Sequence, residues 1–195
     1  MALDGIAVHA LVKQFNTEIL SSKVDKIYQP EKDEITMTFR SINGTKKLLL
    51  SASSSNPRAH FSEISKKNPL SAPMFCMLLR KHLCGGKLIA VRQKGLERSI
   101  DFCIESYTEL GDLTIKHLII EIMGKHSNII LTDDGGKILD SIKHIDFTLS
   151  SVRQILPGMM YSCPPPQDKI NPLECEYSDI VRVIESADEK IKAES

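Results

Sequence analysis

Residues 80–98 set six basic side chains (Arg80, Lys81, Lys87, Arg92, Lys94 and Arg98) against a single acid, Glu97. Two strand-like runs, KLIAVRQ and RSIDFCI, meet there at a short turn that holds Gly95, Leu96, Glu97 and Arg98. A guanidinium forks two hydrogen bonds onto a phosphate or a base edge, and an adjacent carboxylate can orient it. A basic hairpin with a buried-looking acid–base pair at its corner therefore suits a nucleic-acid surface. It also suits an ordinary solvated face; charge alone favours that role, with Glu97 and Arg98 as a surface ion pair.

The stretch EIMGKHSNIILTDDGGKILDSIKHID, residues 121–146, offers further donors. Residues 124–128 read as a polar turn between two apolar strands, with Lys125 and His126 at its tip. These residues serve a turn in any case, and they can also meet a phosphate or a base. Six histidines are scattered without metal-ligand spacing. Asp140, His144 and Asp146 come closest, but they lack a fourth partner, so no metal is expected. The five cysteines (Cys76, Cys84, Cys103, Cys163 and Cys175) include no C-x-x-C pair, which argues against a zinc site and a secreted disulfide framework. Nucleophile-elbow, Walker-A and dinucleotide motifs are absent, so neither hydrolase nor nucleotide chemistry is supported and no cofactor is implied.

The elements that must position these residues follow from periodicity and punctuation. Asp4 reads as the N-cap of a first helix with Val8, Leu11, Phe15 and Ile19 on one face. VDKIYQ and EITMTFRS read as a hairpin around PEKD, and ING leads into a third strand, TKKLLLSAS. The Ser-, Asn- and Pro-rich run SSSNPRAHFSEISKKNP reads as a loop. A second helix over SAPMFCMLLRKHLCGG takes Ser71 as its cap and Pro73 in its first turn, and Gly85 and Gly86 end it. Its Met74, Met77, Leu78 and Leu83 are expected to fill the core. Strands near 87–93, 98–108, 113–123, 128–133 and 137–145 imply antiparallel sheet. The fold class is α+β: an antiparallel, sandwich-like β body with an N-terminal and a mid-chain helix.

The Pro-rich run over 156–172 reads as an irregular, extended exit, and helical periodicity returns through Ile180, Val183, Ile184 and Ile191. That pattern reaches the last residue without a C-cap, as in a piece of a longer protein. Formal net charge is zero in 195 residues, but residues 174–195 carry −4 and the first 173 carry +4. Apolar content of 42% and charge of 26% are those of an ordinary globular protein. There is no 18-residue apolar run, and the start lacks the features of a secretory signal, so a cytoplasmic setting without membrane partners is expected.

Five ordered motifs (LDGIAVHAL, LLRKHLCGGKL, EIMGKHSNIIL, DSIKHID and LPGMMYSCPPPQDKINP) together resemble the N-terminal domain of the NFACT family of bacterial ribosome-quality-control factors. An older name for that family is fibronectin-binding protein A. The resemblance covers residues 1–172, with 173–195 beginning the helical middle domain. It implies binding to large ribosomal subunits obstructed by peptidyl-tRNA. It also implies recruitment of alanyl-tRNA, which gives the stalled chain a C-terminal alanine tail without mRNA. A small RNA-binding quality-control partner belongs to the same setting. The factor is then not an enzyme, because the ribosome's peptidyl transferase makes the bond. The family's acid–Arg pair for tRNA, usually Asp-Arg, falls on Glu97 and Arg98, and a second functional acid falls on Asp4. Arg80, Lys94, Lys125 and His126 are further expected RNA contacts.

Two alternatives stand beside this reading. The fold of such domains is thought similar to the N-terminal domain of formamidopyrimidine-DNA glycosylases, which suggests a base-excision enzyme. Those enzymes use a proline amine at position 2 and a glutamate after it, where this chain has Ala2 and Leu3. The family's older name suggests a fibronectin-binding surface protein, which the absence of an export signal or disulfide pattern does not support.

Overall fold

In the computed structural model the described residues are 3–42, 44–108, 110–150, 152–165 and 171–194, with side chains described through residue 185. Two compact units result, Met1–Pro164 and Pro165–Ser195. The second carries helix α3 (Tyr177–Glu194), as the Ile/Val periodicity predicts.

Helix α1 (Gly5–Ile19) starts where Asp4 accepts a hydrogen bond from the Ala7 amide at 2.8 Å. Such a bond satisfies one of the amides that a helix start leaves without an intrahelical partner. Its Val8, Phe15 and Ile19 are buried at the predicted spacing, and Leu11 packs on the same core. Strands β1 (Lys23–Glu31), β2 (Glu34–Ser41), β3 (Gly44–Ser51) and β4 (Arg58–Phe61) form a first antiparallel meander. The fourth strand lies inside the expected loop: four residues pair with β3, and the surrounding Ser, Asn and Pro conceal them in the composition.

Helix α2 (Met74–Leu83) corrects two expectations. Pro73, not Ser71, occupies the N-cap position, and it makes no side-chain cap bond. The core-facing residues are Phe75, Cys76, Leu79 and Leu83, whereas Met74 and Met77 are 80% and 54% exposed and Leu78 is half-buried. Two overlapping apolar stripes run along this helix, and periodicity alone does not choose between them. The chosen stripe carries Cys76, small enough for the helix to approach β1, with Sγ 3.7 Å from the Ile27 carbonyl. Gly85 (φ +81°) then turns the chain and Gly86 returns it to the sheet. A Cβ on Gly86 would lie 2.8 Å from both the Glu105 carbonyl and the Ile104 side chain, so only glycine fits.

The second meander comprises β5 (Lys87–Arg92), β6 (Ser99–Tyr107), β7 (Leu113–Glu121), β8 (Asn128–Asp133) and β9 (Ile138–Ser141). The sandwich-like body expected from strand spacing is one hydrogen-bonded sheet of nine strands, ordered β4-β3-β2-β1-β5-β6-β7-β8-β9. Its halves meet at the Lys23 and Lys87 ladder pair, flanked by backbone hydrogen bonds of Ser21 and Ser22 with Leu88 and of Val24 with Gly85 and Gly86. They nonetheless share one core: Phe15 of α1 lies 5.2 Å from the Phe61 ring of β4 and 5.7 Å from the Phe102 ring of β6. Strand β9 ends earlier than expected, and Lys143 beyond it donates to the carbonyls of Ala52 and Ser127 at 2.5 and 3.0 Å. Burial lowers the Lys143 pKa.

After β9 the chain folds back over the sheet edge through the bridges of Ile145 with Ile155 and Lys137 with Met160. Arg153 and Tyr161 both bond to the fully buried carboxylate of Glu121, Tyr161 at 2.9 Å. This pairing satisfies a charge that would be costly to leave alone in the interior.

Candidate nucleic-acid interface

The corner between β5 and β6 is built by short-range and long-range bonds together. The Glu97 amide donates to the Lys94 carbonyl at 3.0 Å, closing the turn. Gln93 donates through Nε2 to the Gly5 carbonyl and to the Glu97 carbonyl, both at 2.9 Å. One side chain thus clips the first residue of α1 to the hairpin. The approach is so close that a Cβ on Gly5 would lie 2.1 Å from the Leu96 carbonyl oxygen. Asp4 therefore stands beside the corner that carries Glu97 and Arg98.

On the other side, the Arg98 carbonyl accepts from the Ile122 amide at 2.8 Å. Two residues beyond Ile122, a single 3-10 turn (Gly124–His126) holds Lys125 and His126 exposed. Ser127 secures this turn by accepting from the Met123 amide through Oγ at 2.8 Å. Lys94 is exposed at the hairpin itself. The fold thus gathers residues 4, 94, 97, 98, 125 and 126 at one end of the sheet, from three separate parts of the chain.

Glu97 and Arg98 are half-buried, and among the described residues no hydrogen bond or ion pair holds either side chain. The expected ion pair at the corner is not closed, so the forked donors of Arg98 are available to a ligand. Asp4 uses Oδ1 for its cap and remains exposed, so capping and ligand contact are compatible.

Arg80 is placed differently. Its Nε donates to the Ile27 carbonyl at 2.7 Å, and its guanidinium lies over the Tyr28 ring at 5.2 Å from the centroid. These bonds join α2 to β1, and none connects Arg80 to the hairpin corner. Of the Asp140, His144 and Asp146 trio, His144 Nε2 and Asp140 Oδ1 pair at 2.7 Å. Asp146 instead accepts from the Thr148 hydroxyl and from the Thr148 and Leu149 amides.

Beside the hairpin lies a groove of about 460 Å³, whose walls include Arg92, Lys94, Ser99, Asp101, His117 and Thr132. Asp101 Oδ2 sits 2.9 Å from His117 Nδ1. This hydrogen bond raises the His117 pKa to about 10, aided by Cys103 and opposed by partial burial. The grouping is invisible to spacing rules. Its sequence signal is D-x-C on one strand with a histidine fourteen residues beyond the cysteine, legible only with the β6–β7 register in hand.

No helix of the structure is long and apolar enough to cross a membrane, among the described residues. Residues 4–194 match the family model described as NFACT N-terminal and middle domains. The chain is 44% identical over 183 residues to the protein named Rqc2 homolog RqcH from Bacillus subtilis, covering 93% of this chain and 32% of that protein. It is 28% identical over 138 residues to the human protein named ribosome quality control complex subunit NEMF, covering 71% of this chain and 12% of that one. Among solved structures, the N-terminal domain of the fibronectin-binding protein PavA from Streptococcus pneumoniae superposes with a TM-score of 0.87 at 34% identity, covering 93% of this chain and 68% of that one. The fibrinogen-binding protein from Staphylococcus aureus superposes with a TM-score of 0.82 at 35% identity, covering 93% and 64%. The chain spans about a third of the length of the bacterial curated relatives it matches. Its motifs, its fold and this match over nearly its whole length make it a member of the NFACT family.

Proposed function

We propose that this chain is the tRNA-holding part of a cytoplasmic ribosome-quality-control factor. The whole protein would bind large ribosomal subunits obstructed by peptidyl-tRNA and bring alanyl-tRNA for mRNA-independent alanine tailing, with a small RNA-binding factor as a further partner. The observation that carries the reading is the gathering of Asp4, Lys94, Glu97, Arg98, Lys125 and His126 at one end of the sheet, with the Arg98 side chain unpaired among the described residues. The relatives' names, RqcH and ribosome quality control complex subunit NEMF, support a ribosome-quality-control setting. Arg98 would grip a phosphate or base edge, Lys94, Lys125 and His126 would add phosphate contacts, and Glu97 and Asp4 would orient donors or meet amino and hydroxyl groups.

In this reading the chain performs no bond chemistry of its own. A kinship of fold with formamidopyrimidine-DNA glycosylases would be ancestry without activity, since Ala2 and Leu3 replace the catalytic pair; Ala2 lies outside the described residues. The names of the solved neighbours favour a second reading, adhesion to fibronectin or fibrinogen. Protease accessibility on intact cells separates the two: a cytoplasmic factor is untouched until the cells are broken.

The test uses the tagged full-length protein in its native cells, with sequencing of co-purifying RNA from wild type and Arg98→Ala. Alanine tRNA enriched with wild type and lost from the variant, with large-subunit association retained, is the expected result. Equal tRNA in both would remove Arg98 from the proposal.

A further inference from the structure

The groove beside the hairpin has a floor that the tRNA reading does not use. Asp101 and Cys103 alternate on β6, so both face one side of the sheet, and His117 is the register partner of Cys103 on β7. Their ligand atoms form a closed triangle. Cys103 Sγ lies 3.6 Å from Asp101 Oδ2 and 3.6 Å from His117 Nδ1, and His117 Nδ1 lies 2.9 Å from Asp101 Oδ2.

That triangle can be compared with a metal's requirements. A tetrahedral zinc ion bonds sulfur at about 2.3 Å and nitrogen or oxygen at about 2.1 Å, so its S–N and S–O edges are about 3.6 Å and its N–O edge about 3.4 Å. Both sulfur edges already match, and the N–O edge needs to open by a few tenths of an ångström. The other requirements of a metal site are also present. Cys103 is 1% exposed, which shields a thiolate–metal bond from solvent. His117 Nε2 lies 3.8 Å from Asp134 Oδ1, beyond hydrogen-bond length, so Asp134 would have to close by several tenths of an ångström to hold the imidazole. Asp101 and His117 line the groove, so a fourth coordination position opens into it, reachable by water or an exogenous donor.

We infer that Asp101, Cys103 and His117 form a three-ligand site for a zinc-class transition metal, with its fourth position open to the groove. Sγ, Nδ1 and Oδ2 each donate a lone pair to the ion. The thiol proton and the imidazolium proton leave to solvent, so uptake of one ion releases up to two protons. The site ties β6 to β7 directly behind the hairpin that carries Arg98. It uses neither a C-x-x-C pair nor the Asp140, His144 and Asp146 trio.

The test is titration of the untagged, metal-stripped full-length protein with Co²⁺, and separately with Zn²⁺. The probe is the charge-transfer absorption of a thiolate–cobalt bond together with intense tetrahedral ligand-field bands. Expected are one equivalent of Co²⁺ with both features, displacement by Zn²⁺, and proton release in weakly buffered solution. Cys103→Ser should abolish the charge-transfer band and weaken Zn²⁺ binding by more than about a hundredfold, beyond the cost of losing an outer-shell partner. His117→Ala, which removes the Nδ1 ligand and keeps the thiol, should weaken Zn²⁺ binding by a similar factor should the serine variant fail to fold, and unchanged affinity would count against the site. Replacing Cys84, Cys163 and Cys175 together by serine should leave the band in place. Absence of a band in wild type, its persistence in Cys103→Ser, or its loss on replacing Cys84, Cys163 and Cys175 would overturn the site.

Discussion

At the scale of single residues, two positions have a structural duty and a proposed functional one that substitution can separate. Asp4 caps α1 through Oδ1 and stands beside the hairpin corner. Asp4→Asn keeps an acceptor for the Ala7 amide and should leave stability within a few tenths of a kcal/mol, whereas Asp4→Ala should cost about 1 kcal/mol. If the charge itself faces RNA, both variants lose tRNA affinity; paired thermal melts and binding titrations make the comparison. The second position is His117 in the metal-free protein. Asp101 raises its pKa from the ordinary 6.5 to about 10, so the imidazolium is favoured in the folded state. A raised folded pKa gives stability that is whole below about pH 6.5 and lost as pH climbs through about 10. NMR of the His117 ring should show no titration between about pH 6 and 8, and Asp101→Asn should restore an ordinary midpoint in that window. The Asp4 cap was legible from local order, since an N-cap needs only its own next turn. The Asp101, Cys103 and His117 triangle was not, because it depends on strand register.

At the scale of elements, the proposed interface rests on how closely α1 meets the β5–β6 hairpin. Gly5→Ala would place a methyl group 2.1 Å from the Leu96 carbonyl, a backbone atom that cannot swing away. Overpacking of this kind costs about 1–3 kcal/mol, and a backbone clash belongs at the upper end. Thermal or urea unfolding should register that loss, and tRNA affinity should fall with it as the hairpin is pushed from α1. Nothing in the spacing of residues 5, 93 and 96 announces this contact, because hydrophobic periodicity says which face is buried and not which turn it meets. A second element-scale prediction concerns the strap over the sheet edge. Glu121→Ala leaves Arg153 without its buried partner, and breaking such a pair costs about 3–5 kcal/mol. The expected drop in unfolding free energy far exceeds that of an exposed pair such as Lys46 with Glu18. The misassigned face of α2 teaches a related lesson. Its two apolar stripes are equal in sequence, and the fit of Cys76 against β1 chose between them.

At the scale of the whole molecule, a zero net charge conceals the basic segment at residues 80–98, and the distribution governs association. Binding through phosphates releases counterions, so tRNA affinity should fall linearly on a log–log plot against salt, with a slope near −0.7 to −0.9 per neutralised phosphate. Removing Lys94 or Lys125 should flatten that slope by about one phosphate's worth, while Arg80→Ala, whose guanidinium lies over Tyr28 on the α2–β1 side, should not change it. The central claim is that separate segments of the chain form one RNA surface at one end of the sheet. Its most direct test is ultraviolet crosslinking of tRNA to the full-length protein, with the crosslinked peptides identified by mass spectrometry. The account expects crosslinks within residues 93–98 and 123–127, reduced together by Arg98→Ala. Crosslinks confined to α2 and β1, or spread evenly over the surface and indifferent to Arg98, would contradict it.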